Sequence, residues 1–130
     1  AADVANARTL ADVVVVSLHA DGEYHRLPKT SQRRMADAAI GAGAALVVGS
    51  GPHVLQGYRA GDHTLIAYSL GNFVFPGYTG RAKDSAILDV TLTAEGVTDF
   101  DWIPIVIRQA LPQPATGDDS ERVLDQIRPI

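Results

Sequence analysis

The chain contains no cysteine. Disulfides and thiolate metal ligands are thereby excluded, so any metal site must draw on imidazole and carboxylate, and cysteine usage leaves the redox compartment undetermined. Long apolar runs are missing too: none approaches the ~18–20 residues that cross a bilayer. No signal-peptide pattern opens the chain. A basic excess is also absent. With 11 Lys and Arg against 15 Asp and Glu the net charge is −4, and no basic face is visible for neutralising phosphates, which argues against a nucleic-acid partner. Methionine occurs once, at Met35, and the first residue is Ala1; the chain reads as a segment of a longer product.

What is present is the material of one globular core: 130 residues, 46% hydrophobic and 20% charged, too few for two ordinary domains. Three segments dominate, VVVVSLHADGEYHRLP (13–28), LVVGSGPHVLQG (46–57) and LIAYSLGNFVF (65–75). In the first two an apolar run stops at a polar loop containing a histidine, and in the third at a Gly-Asn pair. Open α/β folds build sites from strands that end in ligand-capable residues along one sheet edge.

The rest of the pattern places these segments. Residues 3–10 read as the tail of a helix, and VVVVSL (13–18) as a strand buried on both faces. After a polar loop over 19–29, Thr30 or Ser31 is placed to cap a helix over about 31–42, with Met35, Ala36, Ala39 and Ile40 as its apolar face. ALVVG (45–49) is the next buried strand, which makes a βαβ unit with parallel strands and a right-handed crossover. His19 and His53 should therefore emerge from the same edge, with Asn72 close enough to share the cleft. VLQGYR (54–59) and HTLIAYSL (63–70) read as a hairpin around Ala60-Gly61-Asp62. SAILDVTLTA (85–94) and VTDFDWIPIVIR (97–108) alternate as a second, half-buried hairpin, with Pro104 expected on an edge strand or bulge. LPQPATGDD (111–119) reads as a linker or turn, and SERVLDQIR (120–128) as a short amphipathic helix with Val123, Leu124 and Ile127 on one side.

Chemistry concentrates in the strand-end loops. His19 leads the run His-Ala-Asp-Gly-Glu-Tyr-His, where imidazole and the carboxylates of Asp21 and Glu23 are suitable donors to a divalent ion, the alternative being a solvated loop whose histidine ends a strand. His53 lies in Gly-Ser-Gly-Pro-His-Val, where glycines allow close backbone approach and Ser50 adds a hydroxyl. Ser69 and Asn72 are hydrogen-bonding candidates on the third loop, against the alternative of an Asx turn. His25, beside Arg26 and Lys29, and His63, in a turn, read as surface residues. Two histidines alone do not complete a metal site.

At these residues the chain resembles the CapA family of capsule and poly-γ-glutamate synthesis proteins, whose fold is similar to calcineurin-like metallophosphoesterases. SLHADGEYHRLP matches the family pattern SLHWGxEYxxxP, and SQRRMADAAIGAGAALVVG, PHVLQG and IAYSLGNFVF follow in the family's order over about residues 10–76, with WIPIVIRQALPQP resembling its closing strand. Where the family reads GHHPHVLQG, Ser50 and Gly51 stand at the first two histidine positions, and Ala20 and Asp21 replace the Trp and Gly of HWG. The resemblance implies that residues 1–130 are the C-terminal portion of a single domain, part of a four-layer αββα sandwich with mixed sheets. Taken with the strand-end loops, it makes His19 and His53 the expected metal ligands, Glu23, Ser50, Ser69 and Asn72 the expected binding residues, and a divalent metal (Mn, Zn, Fe or Mg) the expected cofactor. Its implied role is synthesis, export or anchoring of an anionic polymer at the extracytoplasmic cell surface, with the polymer, the synthase, and an N-terminal half or partner chain as partners. Two classes of activity stay open: metal-dependent phosphoester hydrolysis, and non-enzymatic binding of the polymer or its synthase.

Overall fold

Leu46 and Val48 face one side of a strand and Val47 the other, and the whole architecture follows from what covers those two sides. The computed structural model describes residues 1–20, 22–75 and 79–130. Helix α1 (Ala2–Arg8) leads to strand β1 (Val15–His19), helix α2 (Thr30–Gly41) and strand β2 (Leu46–Ser50). Strands β3 (Tyr58–Gly61) and β4 (Thr64–Ala67) complete a mixed sheet in the order β1-β2-β4-β3, with β1, β2 and β4 parallel. A single-turn helix, Gly80–Lys83, precedes strands β5 (Asp84–Thr93), β6 (Gly96–Arg108) and β7 (Leu111–Pro114), which form an antiparallel sheet; helix α3 (Asp118–Leu124) follows. This is a mixed α/β sandwich of two sheets.

Period-two alternation divides the core. Val47 and Ile66 point toward α2 and pack with Ala36, Ala39, Val16 and Leu18. Leu46, Val48 and Leu65 point the other way, onto Val97, Leu88, Val90 and Phe100 of the antiparallel sheet. Tyr58, Phe100 and Trp102 join the sheets, Phe100 edge to face with each of the other two and Tyr58 tilted on Trp102, with centroids 5.4 to 6.4 Å apart. Helix α3 buries Val123, with Ile127 just beyond it, against Leu55, Ala86 and Val106. An ion-pair network pins it there: buried Asp84 accepts from Arg122 Nη2 at 2.9 Å and from Gln126 Nε2 at 2.6 Å.

Several expectations are corrected. β1 is an edge strand rather than one buried on both faces: Val16 and Leu18 are half-buried against α2, while Val15 is 50% exposed. Helix α2 begins one residue early, with Lys29 at its N-cap and no side-chain cap, and Met35 is exposed rather than on the packed face. The first hairpin turns at Asp62-His63, one residue later than expected, with His63 at φ +54°. Leu124 is exposed.

The segment 111–114 is a strand, not a linker. Its turn, Gln109-Ala110, has positive φ at both residues (+51° and +67°), the pattern of a two-residue hairpin turn that usually takes Asn-Gly. Pro112 and Pro114 alternate with Leu111 and Gln113 on this outer strand, so their nitrogens face away from the ladder. Pro104 lies on the central strand, not an edge. Ala115 N–H donates to its carbonyl at 2.8 Å, just past the last residue of β7, so the missing donor falls where the ladder ends.

Candidate functional site

Because β1, β2 and β4 are parallel, their C-terminal ends lie along one edge, as the βαβ pattern requires. His19 ends β1 directly opposite Ser50, the last residue of β2. Ser50 Oγ lies 3.4 Å from the Leu18 carbonyl and 3.3 Å from His19 Nδ1.

The loop after β2 is fixed by close backbone approach. A Cβ on Gly51, which has φ +110°, would stand 2.0 Å from the Ala20 carbonyl, so only glycine fits. Ala20 N–H donates to Ser50 O, and Tyr24 N–H to Pro52 O, each at 2.8 Å. The two loops are thus strapped together, and each carries a non-glycine residue in the left-handed region, Tyr24 and His53, both at φ +61°. That conformation costs about 1–2 kcal/mol per residue, and such strain collects at functional sites. The two rings face each other at 6.2 Å, and Phe75 meets the His53 ring edge-on at 5.6 Å.

Asn72 organises the third loop. Its Nδ2 donates to the Ala82 carbonyl at 3.1 Å and the His53 carbonyl at 3.3 Å, which fixes the amide orientation. Oδ1 can then only accept, and it does so from His53 Nδ1 at 2.7 Å. Nδ1 consequently carries a proton, and a ring held this way through Nδ1 has the orientation typical of a ligating histidine. Asn72 is 6% exposed. Its backbone carbonyl accepts from Ser85 Oγ, tying the loop to the start of β5.

The edge therefore holds two pairs, His19–Ser50 and His53–Asn72. Glu23 is exposed, and Asp21 lies outside the described residues. Ser69 is buried, its hydroxyl accepting from Gly71 N–H at 3.2 Å inside the turn. His25 is exposed, its carbonyl taking Gln56 Nε2 at 2.8 Å, and His63 lies in its turn 3.7 Å from Asp62. Among the described residues no three His, Asp or Glu side chains converge to hold a metal. The described donors do not make a complete metal site. Sequence reasoning missed Tyr24 and Phe75, the rings around His53; exposed aromatics in GEY and NFVF were the available signal.

A family model described as bacterial capsule synthesis protein PGA_cap matches residues 1–77. A capsule biosynthesis protein CapA of Bacillus anthracis is 41% identical over 118 residues, covering 90% of this chain and 29% of that protein. A PGA biosynthesis protein CapA of Bacillus subtilis (strain 168) is 41% identical over 115 residues, covering 88% of this chain and 30% of its own length. The chain thus spans less than a third of these curated relatives.

Proposed function

This chain belongs to the bacterial capsule synthesis protein PGA_cap family, and on that premise we propose that it takes part in the synthesis, export or anchoring of a capsular poly-γ-glutamate-type polymer at the cell surface. In this reading the strand edge binds the polymer, and the chain acts as a binding part rather than by cleaving a bond. Family membership supports the polymer. Geometry supports the place.

The observation that carries the reading is the His53–Asn72 pair. Three hydrogen bonds on one buried amide hold an imidazole at a sheet edge, between Tyr24 and Phe75. Such a surface suits a polyamide: the rings offer flat area to an aliphatic γ-linked backbone, and imidazole and Ser50 offer polar contacts to its amides. Tyr24, Phe73, Val74 and Phe75 are all at least 42% exposed, and a contiguous apolar patch beside polar groups marks an interaction surface. No helix among the described residues is long and apolar enough to cross a membrane. Its partners in this reading are the polymer and the remaining capsule machinery.

The test is affinity for poly-γ-glutamate oligomers, measured by calorimetry on the chain and its His53→Ala variant. Loss of roughly tenfold or more in the variant, about 1.4 kcal/mol, supports the reading. Equal affinity in a folded variant overturns it.

A further inference from the structure

The chain is acidic overall, yet the structure gathers four cations at one place. Two adjoining cavities, of about 510 and 290 Å³, share Lys83 and Val106. Together they form a groove where β5 begins and β6 ends, alongside α3. Its cationic lining is Arg81, Lys83, Arg108 and Arg122; its carboxylates are Asp84 and Asp119.

Both carboxylates are already engaged. Asp84 is held by Arg122 and Gln126, and Asp119 by Arg122 and by Arg108 at 2.7 Å. These contacts fix the two arginines in place along the groove, so little ordering remains to be done when a further anion arrives. Arg81 and Lys83 differ. Arg81 meets only Gln126 Oε1, at 3.4 Å, and Lys83 makes no hydrogen bond or ion pair among the described residues. Both are exposed, while Ala82 between them is buried. Four guanidinium or ammonium groups against two occupied carboxylates leave the groove net positive on a molecule whose net charge is −4. Field lines concentrate in such a cleft and draw in anions.

One buried hydrogen bond ties the groove wall to the strand edge. The Ala82 carbonyl, between the two exposed cations, is the group that takes Asn72 Nδ2 at 3.1 Å. A chain-like ligand lying on the His53–Asn72 surface thus has cations one residue away from the atom that fixes that surface. Resting on the polymer reading above, we propose that this groove binds the pendant carboxylates of a polycarboxylate chain, with Arg81 and Lys83 as its exposed contacts and Arg108 and Arg122 as its fixed ones. A single small anion would need one cationic pocket; two joined cavities with charge along both favour an extended polyanion.

The test uses labelled poly-γ-glutamate and fluorescence anisotropy on the chain, an Arg81→Gln/Lys83→Gln double variant, and Arg34→Gln on α2 as a remote control. Circular dichroism checks that each is folded. Expected is about a tenfold loss for the double variant, none for the control, and binding that weakens steeply between about 0.05 and 0.5 M salt. A folded double variant that binds like the parent overturns the groove; if His53→Ala still loses affinity, the strand-edge reading stands without it. Loss in the double variant but not in His53→Ala supports the groove and removes the strand edge. Tighter groove-dependent binding of polyphosphate or single-stranded nucleic acid than of poly-γ-glutamate overturns the polycarboxylate assignment.

Discussion

Replacing Asn72 with alanine removes three hydrogen bonds, at 2.7, 3.1 and 3.3 Å, from a side chain that is 6% exposed. The Ala82 and His53 carbonyls lose their side-chain donor, and His53 Nδ1–H loses its acceptor. A buried group left unsatisfied costs about 1–3 kcal/mol. Water reaches the half-buried His53 and recovers part of this, so the net loss is about 2–3 kcal/mol, a midpoint lowered by about 10 °C for a chain of this size. Asn72→Asp separates the components. It keeps an acceptor for His53 Nδ1–H but sets a carboxylate against two carbonyl oxygens, so it should destabilise at least as much at neutral pH while preserving the proton on Nδ1. Urea denaturation gives the stability, and ¹⁵N chemical shifts of the imidazole report which nitrogen carries the proton. An Asn72→Ala variant with unchanged midpoint and a His53 still wholly in the Nδ1–H form would refute the reasoning.

Four further outcomes are expected. Gly49→Ala should prevent folding, since its Cβ would stand 1.9 Å from the Tyr68 carbonyl in the middle of the mixed sheet; a cooperative thermal transition near that of the parent would contradict this. A hydrogen bond from Arg122 holds the Asp119 carboxyl below its usual 3.8. Its stabilisation is complete above that value and lost as pH falls through the lowered one, so Asp119→Asn should flatten the acid limb of a stability–pH curve and leave an unaltered limb only if the contact is absent in solution. Val15→Lys, at a half-exposed position on edge strand β1, should leave stability in urea within about 0.5 kcal/mol of the parent because the side chain lies on an uncovered face; a large loss would show that this face is covered. Titration with Zn²⁺ or Mn²⁺ should show weak binding that His53→Ala removes, whereas tight binding of two ions would mean that a fuller donor set forms than the described residues provide.

The sequence made the strand edge legible and left the contacts within it hidden. VVVVSL and ALVVG announce strands through β-branched runs, and the intervening helix dictates that they are parallel; the shared edge of His19 and His53 follows from that alone. Burial did not follow. A continuous apolar run says that a strand is apolar on both faces, not that both faces are covered, and Val15 lies on the uncovered one. Strand β7 was hidden because its two prolines read as breakers. They are harmless only at alternate positions of an outer strand, and that placement depends on the turn at Gln109-Ala110, whose residues carry no turn signal. The His53–Asn72 bond was likewise unreadable. Nineteen residues separate the pair, and their contact depends on left-handed backbone at His53, which nothing in Gly-Pro-His specifies. The basic groove escaped for a related reason: Arg81, Lys83, Arg108 and Arg122 are scattered along an acidic chain and meet only through the pairing of β5 with β6 and the docking of α3.

The most direct test of polymer binding at the strand edge is amide and imidazole chemical-shift mapping of the ¹⁵N-labelled chain titrated with poly-γ-glutamate oligomers. Expected are saturable shifts confined to Tyr24, the 50–53 loop, Asn72 to Phe75 and the groove around Arg81, Lys83, Arg108 and Arg122. Saturable shifts centred instead on the far hairpin end, Thr93 to Val97, or none at concentrations well above physiological polymer levels, would contradict it.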